Sequence, residues 1–221
     1  MKEIFESWLK GLSTPNKPDE FEVKQLFKEY GINVPNGVRL TPNCSTENVD
    51  LNFPCVVKVC DPNILHKTDC GGLYFNVDKE SLPRVIEELK NKFPNSNYLV
   101  EEQVKDLGTE FIIGALVDPV FGPAIMFGAG GILTELYKDV TFRLAPCSVN
   151  EAEKMLRELT ISELFNGYRG KTLDIKTLAD TLSKISNLVV MMGEHFNQLD
   201  INPIIFCDNK WIALDGVLIL N

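Results

Sequence analysis

The chain has 221 residues, enough to bury a sizeable core, and its 44% hydrophobic and 24% charged content is that of an ordinary soluble globular protein. Its formal net charge is -9, and the sequence contains no block of clustered Lys and Arg. This balance argues against a nucleic-acid partner and against an anionic membrane surface, because binding to phosphate-rich surfaces needs concentrated positive charge.

The first half of the chain mixes helix and strand patterns. A short amphipathic helix is predicted near the N-terminus, and apolar residues at helical spacing predict a second helix over 19–30. Asp19 is expected to cap that helix, and Gly31 is expected to end it in the left-handed conformation. The elements predicted next are a strand interrupted by a turn, a polar loop, strands at 54–60 and 73–77, a helix at 81–93 capped by Ser81, and a strand at 97–104.

The second half also combines strands and helices. Its predicted elements are a hairpin of 110–118 and 123–129, helices at 151–159 and 174–196, and two closing strands at 198–206 and 210–219 separated by a tight turn. Strands and helices do not alternate in a strict β-α-β order. The fold class is therefore predicted to be α+β, with two lobes that divide near residue 100.

The cysteine pattern and the N-terminus both bear on the compartment. No two cysteines form a C-x-x-C pair, and the chain has two histidines, too few for an ordinary Cys/His zinc site. The N-terminus lacks a signal-peptide core, and no apolar run approaches the roughly 20 residues of a membrane span. We therefore expect a cytoplasmic protein with no membrane partner, in which these cysteines are reduced and mostly serve packing: Cys44, Cys55, Cys60, Cys70, Cys147 and Cys207.

The run PCVVKVC (54–60) carries a single lysine inside an apolar strand. Alternation along the strand places Val57 and Val59 on the face opposite to Lys58. Two interpretations are open: an edge strand whose lysine extends its ammonium group into water, or a lysine aimed at a negatively charged ligand.

The segment HKTDCGGL (66–73) contains one of the two histidines. Its Gly71-Gly72 pair allows backbone N–H groups to approach a phosphate closely, and Lys67 adds positive charge. The segment matches neither a Walker A loop nor G-x-G-x-x-G. A phosphate-binding loop and a plain β-turn are both compatible with it.

Two further segments have an ordinary interpretation beside the functional one. VEEQV (100–104) places an acidic pair at a strand end, where it accepts from an amino group or a ribose hydroxyl, or is simply solvated. The glycine cluster at 128–131 forms either a loop whose backbone closely approaches a ligand or an ordinary turn. His195 follows a helix and is predicted to cap or pack rather than to catalyse.

The closing hairpin predicts a metal site. If Asp208 and Asn209 form a two-residue turn, Asn202 lies directly opposite Asp215, with Cβ atoms roughly 5 Å apart. Asp200 is two residues from Asn202 and shares its face. Two close carboxylates repel unless a cation lies between them, and Mg²⁺ accepts one or two carboxylates with water and substrate phosphates. The alternative is the polar outer face of an ordinary hairpin.

Four stretches carry a family resemblance, in order from about residue 19 to the C-terminus: DPNILHKTDCGGL, EFIIGALVDPVFGPAIMFGAGGILTELYKDVTFRLAP, GYRG and LDINP…ALD. They resemble the ATP-grasp domain of the ADP-forming acetyl-CoA synthetases (acetate–CoA ligases), namely the beta subunit, which is related to the succinyl-CoA synthetase beta subunit. The resemblance implies an ATP-grasp fold over 1–221, in which two α+β lobes hold ATP between them. The lobes would be 19–99 and 100–221, with an accessory helix in 1–18.

The resemblance also implies site residues, with ATP or ADP and Mg²⁺ as cofactors. The residues expected at the nucleotide are Lys58 at the phosphates, Glu101, Glu102 and Val104 at the adenine, partly through backbone groups, Glu110 at the ribose, and Lys67, Gly71 and Gly72 in a mobile loop. Asn202 and Asp215 match the Mg²⁺ ligands, in agreement with the hairpin count. His66 matches the histidine that carries a phosphoryl group in these enzymes.

The implied reaction is acyl-CoA + ADP + phosphate ⇌ carboxylic acid + CoA + ATP. The family's CoA-binding and ligase domains have no counterpart in these residues, so a CoA-binding alpha subunit is expected as partner, in an assembly of two alpha and two beta subunits. Two other functions remain open. One is a stand-alone ATP-grasp ligase that joins a carboxylate to an amine through an acyl phosphate, and the other is a nucleotide-sensing regulatory module of an acyltransferase system.

Overall fold

Two antiparallel β-sheets flanked by helices make up the computed structural model, which describes residues 2–43, 45–64, 67–105, 108–130, 139–167 and 173–221. The helices are α1 (Lys2–Lys10), α2 (Glu20–Glu29), α3 (Leu82–Lys92), α4 (Val149–Arg157) and α5 (Ile175–Met192). Two short 3₁₀ helices are Thr160–Asn166 and Gly193–His195. The strands are β1 (Gly37–Leu40), β2 (Cys55–Cys60), β3 (Leu73–Val77), β4 (Asn97–Glu102), β5 (Phe111–Asp118), β6 (Gly122–Ala129), β7 (Val140–Leu144), β8 (Phe196–Cys207), β9 (Lys210–Ala213) and β10 (Val217–Leu220).

The smaller sheet has the strand order β1-β4-β2-β3. The apolar face of α3 packs on it, and the shared core includes Val57, Leu82, Val85 and Leu89. The boundary predicted near residue 100 falls inside β4, all of which belongs to this sheet. Lys58 therefore lies on an interior strand with partners on both sides, and its interpretation as an edge lysine is wrong.

The larger sheet has the order β10-β8-β5-β6-β7, with β9 paired to β8. The apolar faces of α4 and α5 pack in the core of this sheet. The apolar face of α2, including Val23, Leu26 and Phe27, joins this same core rather than that of the smaller sheet. The start of the predicted N-terminal lobe is thus packed on the opposite sheet, which brings α2 to the junction between the two.

Local sequence signals explain where α2 begins and ends. The Asp19 side chain accepts from the Glu22 backbone N–H, and the Glu22 side chain accepts from the Asp19 backbone N–H, which is a capping box. Gly31 ends the helix with a φ of 69°, in the left-handed region. Both predictions for this helix are confirmed.

The hairpin turn at Asp208-Asn209 also forms as predicted, since both residues have positive φ. Other predictions need correction. Ser81 makes no side-chain cap bond to α3: its hydroxyl oxygen accepts from the Asp78 backbone N–H instead, and its hydrogen is donated to the Asp78 carboxylate. The last predicted strand is divided into β9 and β10, and the strand β7 was not predicted.

The described helices do not include one that combines the length and the apolar character needed to cross a membrane. Five cysteines lie in the described part of the chain, and all five are free thiols. Three of them, Cys55, Cys60 and Cys147, are buried, which agrees with a packing role for those three.

Candidate functional site

A cleft of about 590 Å³ lies between the two sheets. It brings together eight of the residues predicted from the sequence: Lys58, Lys67, Glu101, Glu102, Val104, Glu110, Asn202 and Asp215. Gly71 and Gly72 are described but are not among the residues that line it. His66 lies outside the described residues. Residues far apart in sequence therefore meet in one cavity.

Four charged side chains form a buried network at the back of this cleft. Lys24 Nζ donates to Glu20 Oε1 at 2.6 Å and to both carboxylate oxygens of Glu101 at 2.7 Å. Lys58 Nζ donates to the same Glu20 oxygen at 2.6 Å and lies 3.0 Å from Glu101 Oε2. Both lysines also donate to the Leu214 carbonyl at 2.7 Å, so the network joins α2, the smaller sheet and the closing hairpin.

A third lysine extends the network toward the cleft. Lys67 Nζ donates to Asp215 Oδ1 and Oδ2 at 3.1 and 3.0 Å, and it lies 3.0 Å from Glu20 Oε2. The Lys67 side chain is 6% exposed, whereas that of Asp215 is 28% exposed. Asp215 therefore presents a carboxylate to the cleft while a buried ammonium group holds it from behind.

The charges in the network keep one another ionised. Burial alone would raise the pKa of the Glu20 carboxyl, but the three lysines around it lower that pKa well below its usual value. Burial alone would lower the pKa of Lys58, but the carboxylates of Glu101 and Glu20 raise it well above its usual value. The pKa of Lys67 is raised by Glu20 and Asp215 against the same effect of burial. Lysines held in the charged form at a cleft are suited to an anionic ligand.

Glu20 and Lys24 were missed in the sequence analysis. Both occupy positions on the apolar stripe of α2, beside Val23 and Phe27, where a charged side chain is unusual. That position is the signal that could have identified them. Glu101, the partner of Lys24, is 2% exposed, and its carboxylate binds lysines rather than facing the cleft freely.

Lys24→Met is expected to lower the free energy of unfolding by about 3–5 kcal/mol, since it leaves two buried carboxylates short of a partner. The change is measured by urea unfolding at neutral pH. Lys28→Met on the same helix is the control, because Lys28 is exposed and is expected to change stability by less than about 1 kcal/mol. Equal effects of the two variants would show that the buried pairs contribute no more than a surface lysine.

The closing hairpin places three oxygen-bearing side chains along the cleft. In β8, Ile204 pairs with Ala213 of β9, and Asp200 pairs with Val217 of β10. Asn202 lies between these two pairs, and the same register places it opposite Asp215. All three polar side chains line the cleft. Burial, followed by the charge of Asp215, raises the pKa of Asp200. A cation would relieve that repulsion, as the sequence prediction requires.

The rim of the cleft is built by the end of β4 and the start of β5. The Glu102 carboxylate accepts from the backbone and side-chain N–H groups of Asn52 and from the side chain of Asn36, and these bonds lower its pKa. Its carboxylate is thus already bound, and its backbone N–H donates to the Asn36 carbonyl at 2.9 Å. Glu110 lies against Gly130, where a Cβ would be 2.8 Å from the Glu110 backbone, so this glycine permits a close approach.

The turn that follows His66 in the sequence is anchored at its far end. Gly72 N–H donates to the Lys67 carbonyl at 2.7 Å, and the Gly72 carbonyl accepts from Val59 N–H at 2.8 Å. A Cβ on Gly72 would lie 2.5 Å from Val59 Cγ1, so close packing on β2 requires glycine there. His195, by contrast, is exposed and contacts the ring of Phe5, consistent with its predicted packing role.

Comparison with known proteins identifies the class. The family model described as an ATP-grasp domain matches residues 14–220, and the chain belongs to this family. It is 35% identical over 211 residues to the acetate–CoA ligase [ADP-forming] I subunit beta of Pyrococcus furiosus, covering 91% of this chain and 90% of that subunit. It is also 34% identical to acetate–CoA ligase [ADP-forming] I of Archaeoglobus fulgidus, of which it spans 29%.

A solved structure of similar fold is acetyl-coenzyme A synthetase 1 of Ca. Korarchaeum cryptofilum, in complex with coenzyme A and Mg-AMPPCP. The TM-score is 0.80 at 34% identity, over 99% of this chain and 98% of that one. In that structure the phosphohistidine segment points towards the nucleotide binding site. The two-lobed α+β fold predicted from the sequence is therefore confirmed as an ATP-grasp fold.

Proposed function

We propose that the chain is the nucleotide-binding beta subunit of an ADP-forming acyl-CoA synthetase. The observation that carries the proposal is the cleft itself, where ionised, buried Lys58 and Lys67 face Asn202 and Asp215. The similarity over 90% of the length of a subunit beta of acetate–CoA ligase supports the same function. The cleft has positive charge for phosphates and carboxylate oxygens for a cation, both of which a nucleoside triphosphate complex needs.

In this proposal the nucleotide lies along the rim. The ammonium groups of Lys58 and Lys67 bind phosphate oxygens, and the backbone of 101–104 borders the adenine. Glu110 accepts from the ribose hydroxyls. The ion pairs of Lys58 with Glu20 and Glu101 fix its ammonium group before the ligand arrives, which lowers the entropy lost on binding.

The residues present fit Mg²⁺. Asn202 and Asp215 would hold it, with Asp200 nearby, and phosphate and water oxygens would complete the shell. When bound, the cation neutralises charge on the phosphoryl group being transferred.

His66 is proposed to carry the phosphoryl group. A neutral imidazole can attack phosphorus, and the unperturbed histidine pKa of about 6.5 leaves a large neutral fraction at pH 7. In the direction of ATP synthesis, the N–P bond of phosphohistidine breaks while a terminal phosphate oxygen of ADP forms the new P–O bond. Lys58 and Lys67 offset the negative charge of the reacting groups, and the imidazole leaves as the neutral ring because its other nitrogen keeps a proton.

The acyl-phosphate chemistry is assigned to a CoA-binding alpha subunit. That subunit would turn acyl-CoA and phosphate into carboxylic acid and CoA and pass the phosphoryl group to His66. An assembly of two alpha and two beta subunits and a cytoplasmic location complete the proposal. The subunit name of the Pyrococcus furiosus relative supports a partner subunit, and the free thiols of the described cysteines support the location.

The purified chain is expected to bind Mg-ATP but to form no acetyl-CoA from acetate, CoA and ATP. Adding the alpha subunit is expected to restore synthesis, measured as CoA thioester formed with time. The alpha subunit alone is the control and is expected to be inactive. Acetyl-CoA formed by the chain alone would contradict this division of labour.

A further inference from the structure

Lys67 sits between two carboxylates that differ in their surroundings. Its ammonium group donates to both oxygens of Asp215, at 3.1 and 3.0 Å. It also lies 3.0 Å from Glu20 Oε2, an ion-pair distance without the alignment of a hydrogen bond. One carboxylate faces the cleft, and the other is buried behind it.

We propose that Lys67 is a two-position internal cation, a role that rests on the nucleotide and metal site described above. Without a divalent cation, Lys67 is the counter-ion of Asp215. When a divalent cation binds Asp215, the Lys67 ammonium transfers its hydrogen bond to Glu20 Oε2. Lys67 is then a positioning residue. It holds the Asp215 carboxylate in place until a metal binds there, and it then releases that carboxylate.

Glu20 is prepared to receive this hydrogen bond. Its Oε1 already accepts from Lys24 and Lys58, at 2.6 Å each. Its Oε2 is buried and has no hydrogen-bond partner among the described residues. A buried carboxylate oxygen without a hydrogen bond is costly, so a small rotation of the Lys67 ammonium toward it is favourable once Asp215 is taken.

The movement is confined to the lysine side chain. The Lys67 carbonyl is held by Gly72 N–H at 2.7 Å, and Gly72 is held to β2 through Val59 N–H. A four-carbon stem with three rotatable donors can move its head between two oxygens about 3 Å away without displacing this backbone.

Charge balance gives the exchange its function. The network contains three lysines, Lys24, Lys58 and Lys67, and three carboxylates, those of Glu20, Glu101 and Asp215. Without a metal, Lys67 screens Asp215 and so limits its repulsion with Asp200. A cation at Asp215 repels the ammonium group, so metal entry and the movement of Lys67 are linked. The residue that responds to metal binding, Lys67, is the direct neighbour of His66, the proposed phosphoryl carrier.

The test is the affinity of the nucleotide-free chain for Mn²⁺ alone, measured by electron paramagnetic resonance of the free ion. Lys67→Met removes the competing cation and is expected to tighten Mn²⁺ binding about tenfold or more, the effect of one opposite charge at this distance on a carboxylate. Lys79→Met, at an exposed turn, is expected to leave the affinity unchanged. Lys67→Met combined with Asp215→Ala is expected to lose the gain.

Equal or weaker Mn²⁺ affinity in folded Lys67→Met, including no binding in either protein, would overturn the proposal. A second measurement uses the wild-type chain, so it is independent of how the variant folds. The ¹⁵Nζ resonance of Lys67 is expected to shift on addition of Mg²⁺, and an unchanged resonance at saturating metal would overturn the exchange. Binding of Mg-ADP by the wild type is measured in parallel, because its loss would instead refute the proposed nucleotide site.

Discussion

His66→Ala is expected to reduce acyl-CoA synthesis by the complete enzyme at least about a thousandfold, the scale on which loss of a covalent nucleophile acts. The reason is that this variant loses the nucleophile proposed to carry the phosphoryl group between the two subunits. Mg-ATP affinity is expected to stay within about twofold, since the lysines and the cleft proposed to bind the nucleotide are unchanged. Both quantities are measured with the alpha subunit present.

His195→Ala is the matched control for this variant. It removes the other histidine, which is exposed and contacts Phe5 at the N-terminal helix rather than the cleft. Its synthesis rate is expected to equal that of the wild type. Full synthesis by His66→Ala would refute the relay and leave residues 66–72 as a turn that covers the phosphates.

Asp215→Ala is expected to lower turnover by about two to three orders of magnitude, because it removes a carboxylate proposed to hold the cation that stabilises the transferred phosphoryl group. Asp215→Asn removes the negative charge of the side chain but keeps its volume, and Lys67 retains Glu20 as a partner. Its activity is expected to recover in part as Mg²⁺ is raised, in assays of rate against metal concentration.

Asp50→Ala is the control for the aspartate variants, since Asp50 is an exposed loop carboxylate. It is expected to behave as the wild type at every metal concentration. Wild-type turnover and Mg-ATP affinity in Asp215→Ala would remove the metal site from the closing hairpin.

Much of the fold follows from local signals. Asp19 and Gly31 set the ends of α2 through side-chain and backbone geometry that the sequence displays directly. The hairpin register depends on two turn residues, Asp208 and Asn209, and from that register the opposition of Asn202 and Asp215 could be counted. These predictions needed only neighbouring residues and the known period of a strand.

Long-range pairing was not accessible in the same way. Glu20 and Lys24 lie on α2, and Glu101, which binds Lys24, is 77 residues further along the chain. No local sequence pattern therefore predicts the network. Ser81 was predicted as a cap, but the nearby Asp78 backbone N–H takes the acceptor position on its hydroxyl oxygen. The interpretation of Lys58 depended on whether its strand was interior, which only the sheet order determines.

The residues of the candidate site divide in a similar manner. Lys58 was singled out as a charge within an apolar strand, Lys67 as a charge near a glycine pair, and Asp215 by its register opposite Asn202. Glu101 and Glu102 were expected at the ligand, partly through backbone groups, yet both carboxylates bind neighbouring side chains. A sequence identifies such residues by type, whereas the tertiary structure decides which of their atoms are available.

The central claim, that this chain passes a phosphoryl group between His66 and a nucleotide, is tested most directly by labelling. The purified chain is incubated with Mg²⁺ and ATP carrying ³²P in the terminal phosphate, with or without the alpha subunit, and the protein-bound label is treated with acid and with base. The account predicts label that is acid-labile and base-stable, present in the wild type and absent from His66→Ala. Label of the same amount and stability in His66→Ala would contradict it.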